Sequence, residues 1–247
     1  MKTICLCMQC QVEQGMPNLS SVELVEIPEN GVLWTTCSLG HHTATVLQNE
    51  RFEILSEMAL SAIVHEHYRD AVASFASALE RLWEYGVGAI CRRQGIPADV
   101  FEAMWKPLKN SSERQVGAYL VAYAVQTNSV APMLPNAAIS FRNNVIHKGY
   151  LPNREETIKF CQSVADCAHP LLLLLGSDEF QETVRDLTTE LIQARRDAIQ
   201  SASAPIGTTN LGLLFKPTKE SSPVSIDAAI ASHFDPSQLY NAMQSST

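Results

Sequence analysis

The spacing of apolar residues changes near residue 50 of this 247-residue chain. Before that point, apolar runs at 22–27, 32–37 and 43–47 have the composition of β-strands, and Pro28-Glu29-Asn30-Gly31 between the first two is a strong turn sequence. After it, apolar positions recur every three or four residues, which indicates amphipathic helices. The pattern therefore predicts a small β-rich module at residues 1–49, followed by a mainly helical domain.

Two apolar stripes define the first helices of that domain. They consist of Phe52, Leu55, Ala59, Ala62 and Ile63, and then of Val72, Phe75, Leu79, Leu82, Gly86 and Ile90. Further helices are predicted at 98–105, 111–127, 137–147, 154–168 and about 177–198, with Pro170 opening a new turn before the last. Together they predict an up-and-down helical bundle over residues 50–202. The Ser-, Thr- and Pro-rich residues 203–247 predict an irregular tail with room for a short helix near 226–232.

The composition is that of a globular protein, with 46% apolar and 18% charged residues. A net charge of −8 provides no overall positive field, so RNA would have to meet a local basic patch or one built at a subunit interface. The N-terminus lacks the apolar segment of a signal peptide, and the longest apolar run, 171–175, is too short to cross a bilayer. We therefore expect a cytoplasmic protein that does not enter a membrane.

Seven cysteines in a reducing compartment favour metal ligands and buried thiols over disulfides. Two close pairs, Cys7-x-x-Cys10 and Cys37-x-x-Gly40-His41, are separated by residues 11–36. Each pair can place two soft ligands on one tight turn, and β-structure between the pairs can bring the turns together. We therefore expect a structural zinc site formed by Cys7, Cys10, Cys37 and His41, which would stabilise a zinc-ribbon-like module too small to fold alone.

The ligand assignment leaves alternatives open. Cys5 and His42 are close enough in sequence to replace a neighbouring ligand. In a different interpretation, the cysteines are free thiols in a β-rich segment and bind no metal. Because no water-activating carboxylate accompanies the two pairs, a catalytic metal is not expected there.

A third feature is the segment 140–152, SFRNNVIHKGYLP, which carries Arg142-Asn143-x-x-x-His147 near the end of a predicted helix. This string resembles the R-x4-6-H motif of the HEPN superfamily. Upstream, the sequence Tyr68-Arg69-Asp70-Ala71-Val72 resembles part of the long helix of HEPN bundles. The resemblance covers roughly residues 50–200 and implies a HEPN-like helical fold.

The resemblance also implies metal-independent cleavage of RNA by a homodimer. It assigns catalysis to Arg142, His147 and Asn143, and Lys148 would add a contact to the RNA. A histidine can accept the proton of a ribose 2′-hydroxyl or protonate the leaving 5′-oxygen, and an arginine can stabilise charge on the phosphorane. Helical positions five residues apart differ by about 140° and about 7.5 Å along the axis, so two chains would have to combine their Arg142 and His147 in one cleft.

Ribonucleases of this superfamily often serve as toxins or in defence against phages. The resemblance therefore implies an antitoxin or another regulatory protein as a partner. In some members, a tyrosine two positions after the histidine is modified by a partner nucleotidyltransferase. Here Tyr150 stands three positions after His147, so the chain departs from that pattern.

A non-catalytic explanation uses the same residues. Arg142 would pair with a carboxylate of the bundle, and His147 would cap the C-terminus of its own helix. The chain would then be a zinc-containing RNA-binding or dimeric adaptor protein. Glu80 and Glu84, one helical turn apart, either line the same cleft as Arg142 or form a solvated helix face.

Overall fold

Of the residues that the structure describes, 59% are in helices and 9% in strands, so the protein is mainly helical, as the sequence predicted. A computed structural model describes residues 1–199, 205–212 and 214–244. The helices are α1 (Met8–Gln14), α2 (Arg51–Val64), α3 (Tyr68–Arg93), α4 (Ala98–Trp105), α5 (Ser112–Thr127), α6 (Asn136–His147), α7 (Arg154–Leu175), α8 (Gln181–Asp197), α9 (Ile226–Ala231) and α10 (Pro236–Gln244). The strands are β1 (Lys2–Cys5), β2 (Glu23–Glu26), β3 (Val32–Thr36), β4 (His42–Leu47) and β5 (Gly207–Thr209).

The residues form two compact units. The first unit comprises Met1–Glu50, Thr188–Gly212 and Phe234–Thr247, and the second comprises Arg51–Leu187 and Leu213–His233. The module predicted at residues 1–49 thus shares its unit with two later segments. The stretch 203–247, predicted to be an irregular tail, contains β5, α9 and α10, while the predicted bundle end at residue 202 lies outside the described residues.

Two small sheets build the first unit. Strand β1 pairs antiparallel with β2, and β3 pairs antiparallel with β4, which also pairs in parallel with β5. The apolar runs flanking the Asn-Gly turn therefore belong to different sheets and do not pair as a hairpin. One reason is local: the Asn30 side chain accepts a hydrogen bond from the Val32 N–H at 3.1 Å and so replaces a strand partner at the start of β3.

Arg195 and Leu211 connect the segment that begins at Thr188 to the strands of this unit. Arg195 of α8 donates hydrogen bonds to the carbonyls of Leu47 and Asn49, at 2.5 and 3.0 Å. The Asn49 carboxamide accepts one from the Leu211 N–H at 2.8 Å. Gly31, at φ 65°, is the residue that admits Arg195, because a Cβ there would lie 2.5 Å from Nε.

Helix α3 is the centre of the second unit. Thirteen of its 26 residues are buried, so half of the helix is enclosed by neighbours, which include α2, α5, α6 and α7. Gly86 allows a close approach of α7, since a Cβ there would lie 2.7 Å from Cδ2 of Leu171. The apolar stripe predicted from Val72 to Ile90 is this buried face.

Helix α7 runs through Pro170, contrary to the predicted break. It starts with a capping box, in which Asn153 and Glu156 each accept a hydrogen bond from the other's backbone N–H. Proline removes one helical hydrogen bond, but Leu171, Leu172 and Leu175 beyond it are buried, and their burial offsets that cost. Among the described residues, α7 is the one helix with the length and apolar character to cross a membrane, and 56% of its apolar window is buried within the protein, as in a core helix.

A strap, residues 214–226, returns the chain to the second unit. Glu57 accepts a hydrogen bond from the Leu214 N–H, and Ser56 accepts one from the Phe215 N–H at 3.3 Å. Burial raises the pKa of Glu57 to about 7, although the hydrogen bond from Leu214 acts in the opposite direction.

Glu57→Gln should remove a pH-dependent component of stability. The pKa of Glu57 is raised above 4.5 on folding, so folding favours the protonated carboxyl, and stability is lost as the pH rises from about 4.5 through about 7. The full loss is on the order of 3 kcal/mol. The glutamine keeps an acceptor for Leu214 without a charge, so the variant should exceed the unaltered protein in free energy of unfolding at about pH 8. Urea denaturation at about pH 5 and pH 8 measures this, with exposed Glu102→Gln as the control; equal effects of both substitutions would refute the assignment.

Candidate metal centre and helix α6 site

The four predicted metal ligands lie together in the first unit. Sγ of Cys7, Cys10 and Cys37 and a ring nitrogen of His41 are all within 4.8 Å of one another. The distances are 3.7 Å from Cys10 Sγ to Cys37 Sγ, and 3.3 and 3.9 Å from His41 Nδ1 to Cys10 Sγ and Cys7 Sγ. A tetrahedral site with metal–sulfur bonds of about 2.3 Å has edges of about 3.8 Å, so the four atoms fit a tetrahedral metal ion.

The first ligand pair belongs to a helix N-terminus. Cys7 is the N-cap of α1, and its Sγ accepts a hydrogen bond from the Cys10 N–H at 3.5 Å. This arrangement sets both thiols on the first turn of α1, close to the exposed amides and the positive end of the helix dipole. Both thiol side chains are buried, so a metal ion there would be shielded from water.

The second pair flanks a tight turn between β3 and β4. The Gly40 N–H donates to the Cys37 carbonyl at 2.8 Å, and the Cys37 N–H donates to the His41 carbonyl at 3.1 Å. Gly40 has φ 80°, which favours glycine at this position. His41 Nδ1 faces the thiols while Nε2 lies 3.6 Å from Glu13, a contact that can fix the ring orientation. Sequence reasoning missed Glu13, whose only signal was its place one helical turn after Cys10.

The thiols differ in their acidity. Burial, together with the adjacent Cys7 and Cys37, raises the pKa of Cys10 to about 11. Burial opposes ionisation of Cys37 as well, but the backbone N–H groups of His41 and Leu39, together with the side chains of Cys10 and Cys7, outweigh it and lower the pKa of Cys37. A bound cation would supply the positive charge that stabilises the ionised form of the other thiols.

Both alternative ligands have other roles. Cys5 is buried on β1, outside the cluster. A hydrogen bond of 3.0 Å joins His42 Nδ1 to Thr36 Oγ1. The His42 ring also stacks on the ring of Trp34, with ring centroids 4.9 Å apart. The geometry therefore selects Cys7, Cys10, Cys37 and His41 among the described residues.

Arg142 and His147 both lie on α6, but they do not meet within one chain. Arg142 Nη2 lies 3.6 Å from Glu80 Oε1 on α3, and each side chain is about one quarter exposed. Ser112 Oγ on α5 donates to the same Glu80 oxygen at 3.3 Å. The backbone N–H of Glu113 and the Ser111 hydroxyl lower the pKa of Glu113, and nearby Arg142 contributes to that shift. Sequence reasoning missed Ser112 and Glu113 as neighbours of Arg142.

The other predicted residues of this site face outward. His147 and Lys148 are exposed and Asn143 is half-buried. Throughout the described part of the chain, none of these three side chains has a hydrogen bond or ion pair. The helix end is closed by Gly149 at φ 72°, beyond which the Tyr150 N–H donates to the Asn144 carbonyl at 3.1 Å, so His147 is not needed as a cap.

Glu84 takes no part in the α6 site. Its carboxylate pairs with Arg81 and accepts a hydrogen bond from Trp105 Nε1 of α4 at 2.6 Å. Of the two glutamates considered from the sequence, Glu80 alone therefore contacts Arg142.

No family model matches the chain, and neither does any curated protein or solved structure.

The purified protein should contain about one tightly bound metal ion per chain. Cys10→Ser should lose it, because Cys10 Sγ lies 3.7 Å from Cys37 Sγ and 3.3 Å from His41 Nδ1. The variant should also unfold at a lower temperature. Elemental analysis by mass spectrometry and thermal denaturation measure both effects.

Cys5→Ser and His42→Ala serve as the matched controls and should retain the metal. Metal loss in either control, or full metal content in Cys10→Ser, would contradict the ligand assignment.

Proposed function

We propose that the second unit is a HEPN-like bundle and that the chain is a cytoplasmic, metal-independent endoribonuclease active as a homodimer. The observation that carries the proposal is the state of His147. It is exposed on the same helix as Arg142, and its side chain has no partner among the described residues. Neither the packing of the bundle nor the closure of the end of α6 uses this imidazole, so it is available for proton transfer to or from a bound substrate.

The proposed reaction needs only groups that α6 carries. One His147 accepts the proton of a ribose 2′-hydroxyl, whose oxygen attacks the adjacent phosphorus. The bond from phosphorus to the 5′-oxygen breaks, and the second His147 protonates that oxygen, giving a 2′,3′-cyclic phosphate and a 5′-hydroxyl. Arg142 would stabilise the extra negative charge on the phosphorane, Asn143 would orient the phosphate, and Lys148 would attract the RNA.

A dimer is required because one α6 does not direct both side chains to one place. Two copies of α6 facing each other would gather two arginines and two histidines and would also concentrate positive charge in a protein with net charge −8. Within each chain, Arg142 Nη2 lies 3.6 Å from Glu80 Oε1, and the phosphodiester anion of a bound RNA would compete with that carboxylate for the guanidinium.

In the first unit we propose a structural zinc ion. Three thiolates and one imidazole form a soft donor set in tetrahedral arrangement, which suits Zn²⁺. All four coordination positions come from the protein, so the ion would stabilise the fold and would not activate water.

A second candidate function is a non-catalytic adaptor, and one observation favours it. The pairing of Arg142 with Glu80 is what a purely structural arginine would do. RNA binding by the N-terminal strands is not favoured, because the first 50 residues hold one basic residue, Lys2, against five glutamates, Glu13, Glu23, Glu26, Glu29 and Glu50. A toxin or phage-defence role, with an antitoxin or regulatory protein as partner, is the context we propose on the resemblance alone.

Arg142→Ala and His147→Ala should each reduce cleavage of a mixed-sequence single-stranded RNA by at least about a hundredfold, since each removes a group that acts in the transition state. Gel analysis of the products measures the rate, with EDTA present and the metal content of each sample recorded. Arg185→Ala and His67→Ala, on exposed positions of the same unit, are the controls. Absence of cleavage by the unaltered protein, or its persistence in both α6 variants, would favour the adaptor.

Mixing the two inactive variants tests the composite site. A mixed dimer holds one intact Arg142 and one intact His147 on different chains. If both chains serve one site, Arg142 can again stabilise the phosphorane and the remaining His147 can catalyse one of the two proton transfers, so part of the activity should return. Light scattering must show a dimer in the same buffer. A strictly monomeric protein that cleaves RNA would refute the composite site while leaving the ribonuclease activity in place.

A further inference from the structure

A cavity of about 310 Å³ lies in the second unit between α7 and the strap. Its size is at the lower end of the range for small-molecule sites and far above the voids of a close-packed core. On the helix side it is lined by Ala165, His169 and Leu172, which form a single stripe of α7. On the other side it is lined by seven residues of the strap, namely Leu214, Phe215, Lys216, Thr218, Glu220, Ser222 and Val224.

Six of the seven strap residues in the lining occupy even-numbered positions, and Phe215 is the exception. Alternate positions of an extended chain direct their side chains to the same side. Lys219, at an odd-numbered position, pairs with Asp178 and does not line the cavity. Mainly one side of the strap therefore faces the cavity.

Fixed hydrogen bonds hold the strap in position along the cavity. The Thr218 N–H donates to the Leu172 carbonyl at 3.0 Å. At the far end, Gln162 of α7 donates to the Val224 carbonyl at 3.1 Å and accepts from the Ile226 N–H at 3.0 Å. Gly176 is required where the strap crosses the end of α7, because a Cβ there would overlap the Thr218 backbone. The strap therefore spans the cavity as a supported element.

The lining has a distinct order of polarity. Leu214 and Val224 close the two ends of the strap face, and Leu172 faces them from α7, so the ends and the helix side are largely apolar. The middle of the strap face is polar and carries one cation, Lys216, and one anion, Glu220. Neither has an ion-pair partner in the described ranges of the chain.

His169 also contributes to the cavity wall. Its Nε2 is buried and has no hydrogen-bond partner among the described residues.

We propose that this cavity binds a small zwitterion with an apolar body, such as an apolar α-amino acid. A simple anion would be attracted by Lys216 but repelled by Glu220, and a simple cation would be attracted by Glu220 but repelled by Lys216. A ligand with both a carboxylate and an ammonium satisfies both, while its apolar body lies against Leu172, Phe215 and Val224. This site is independent of the ribonuclease proposed for α6.

Isothermal titration calorimetry of the unaltered full-length protein with L-leucine, L-methionine and L-phenylalanine tests the proposal. At least one of the three should bind. Isocaproate and isoamylamine, which lack the ammonium and the carboxylate of leucine respectively, should bind at least about tenfold more weakly than the amino acid. If none of the amino acids binds, or if either analogue binds as well as its parent, the proposal is wrong.

Lys216→Ala should weaken binding of the amino acid by about tenfold, because it removes the carboxylate partner. Lys219→Ala, three positions away on the opposite face of the strap, should leave binding unchanged. Equal losses in both variants would locate the effect outside the cavity. Circular dichroism verifies folding, and the ligand series on the unaltered protein decides the matter if Lys216→Ala does not fold.

Discussion

The burial of α3 is the constraint on which the second unit depends. This helix has too many apolar residues for one stripe, so it must be covered by several helices at once. The absence of a side chain at Gly86 sets how near α7 can come, and α2, α5 and α6 fill the remaining sides. The contact of Arg142 with Glu80 follows from this packing, because Glu80 is on α3 and Arg142 is on a helix that α3 positions. The chemistry available on α6 is therefore decided by the packing of the core.

The first unit solves the opposite problem. Its strands are short, and its two sheets contain two and three strands, too few to enclose a large apolar core. Buried thiols form their own cluster there, in a place where a larger protein would use branched aliphatic side chains. Four polarizable ligands around one cation can supply the missing stabilisation, and the contact of Glu13 with His41 extends the site by one further residue.

The sequence predicted what local interactions determine. The start of α5 could be predicted because Ser111 is an N-cap residue that accepts a hydrogen bond from the Arg114 N–H. The end of α6 could be predicted because Gly149 adopts a left-handed conformation. The ligand quartet was readable from the spacing of its turns. The helix break predicted at Pro170 was wrong, because the burial of leucines against partners distant in sequence outweighs the loss of one helical hydrogen bond. The choice of Glu80 over Glu84 depends on how α3 and α6 are rotated about their axes, which periodicity alone does not specify.

The late position of β5 in the sequence affects the order in which the parts of this protein can fold during synthesis. All four candidate metal ligands are contained in the first 41 residues, yet the sheet that includes β4 is completed by Gly207–Thr209, which pairs with Thr45–Leu47. Ribosomes synthesise the chain from its N-terminus, so helices α2 to α7 of the second unit emerge before that third strand exists. Until then, β4 has an open edge of unpaired N–H and C=O groups. A metal ion bound early would hold the β3–β4 turn in shape during this interval, when the rest of the sheet is still being synthesised.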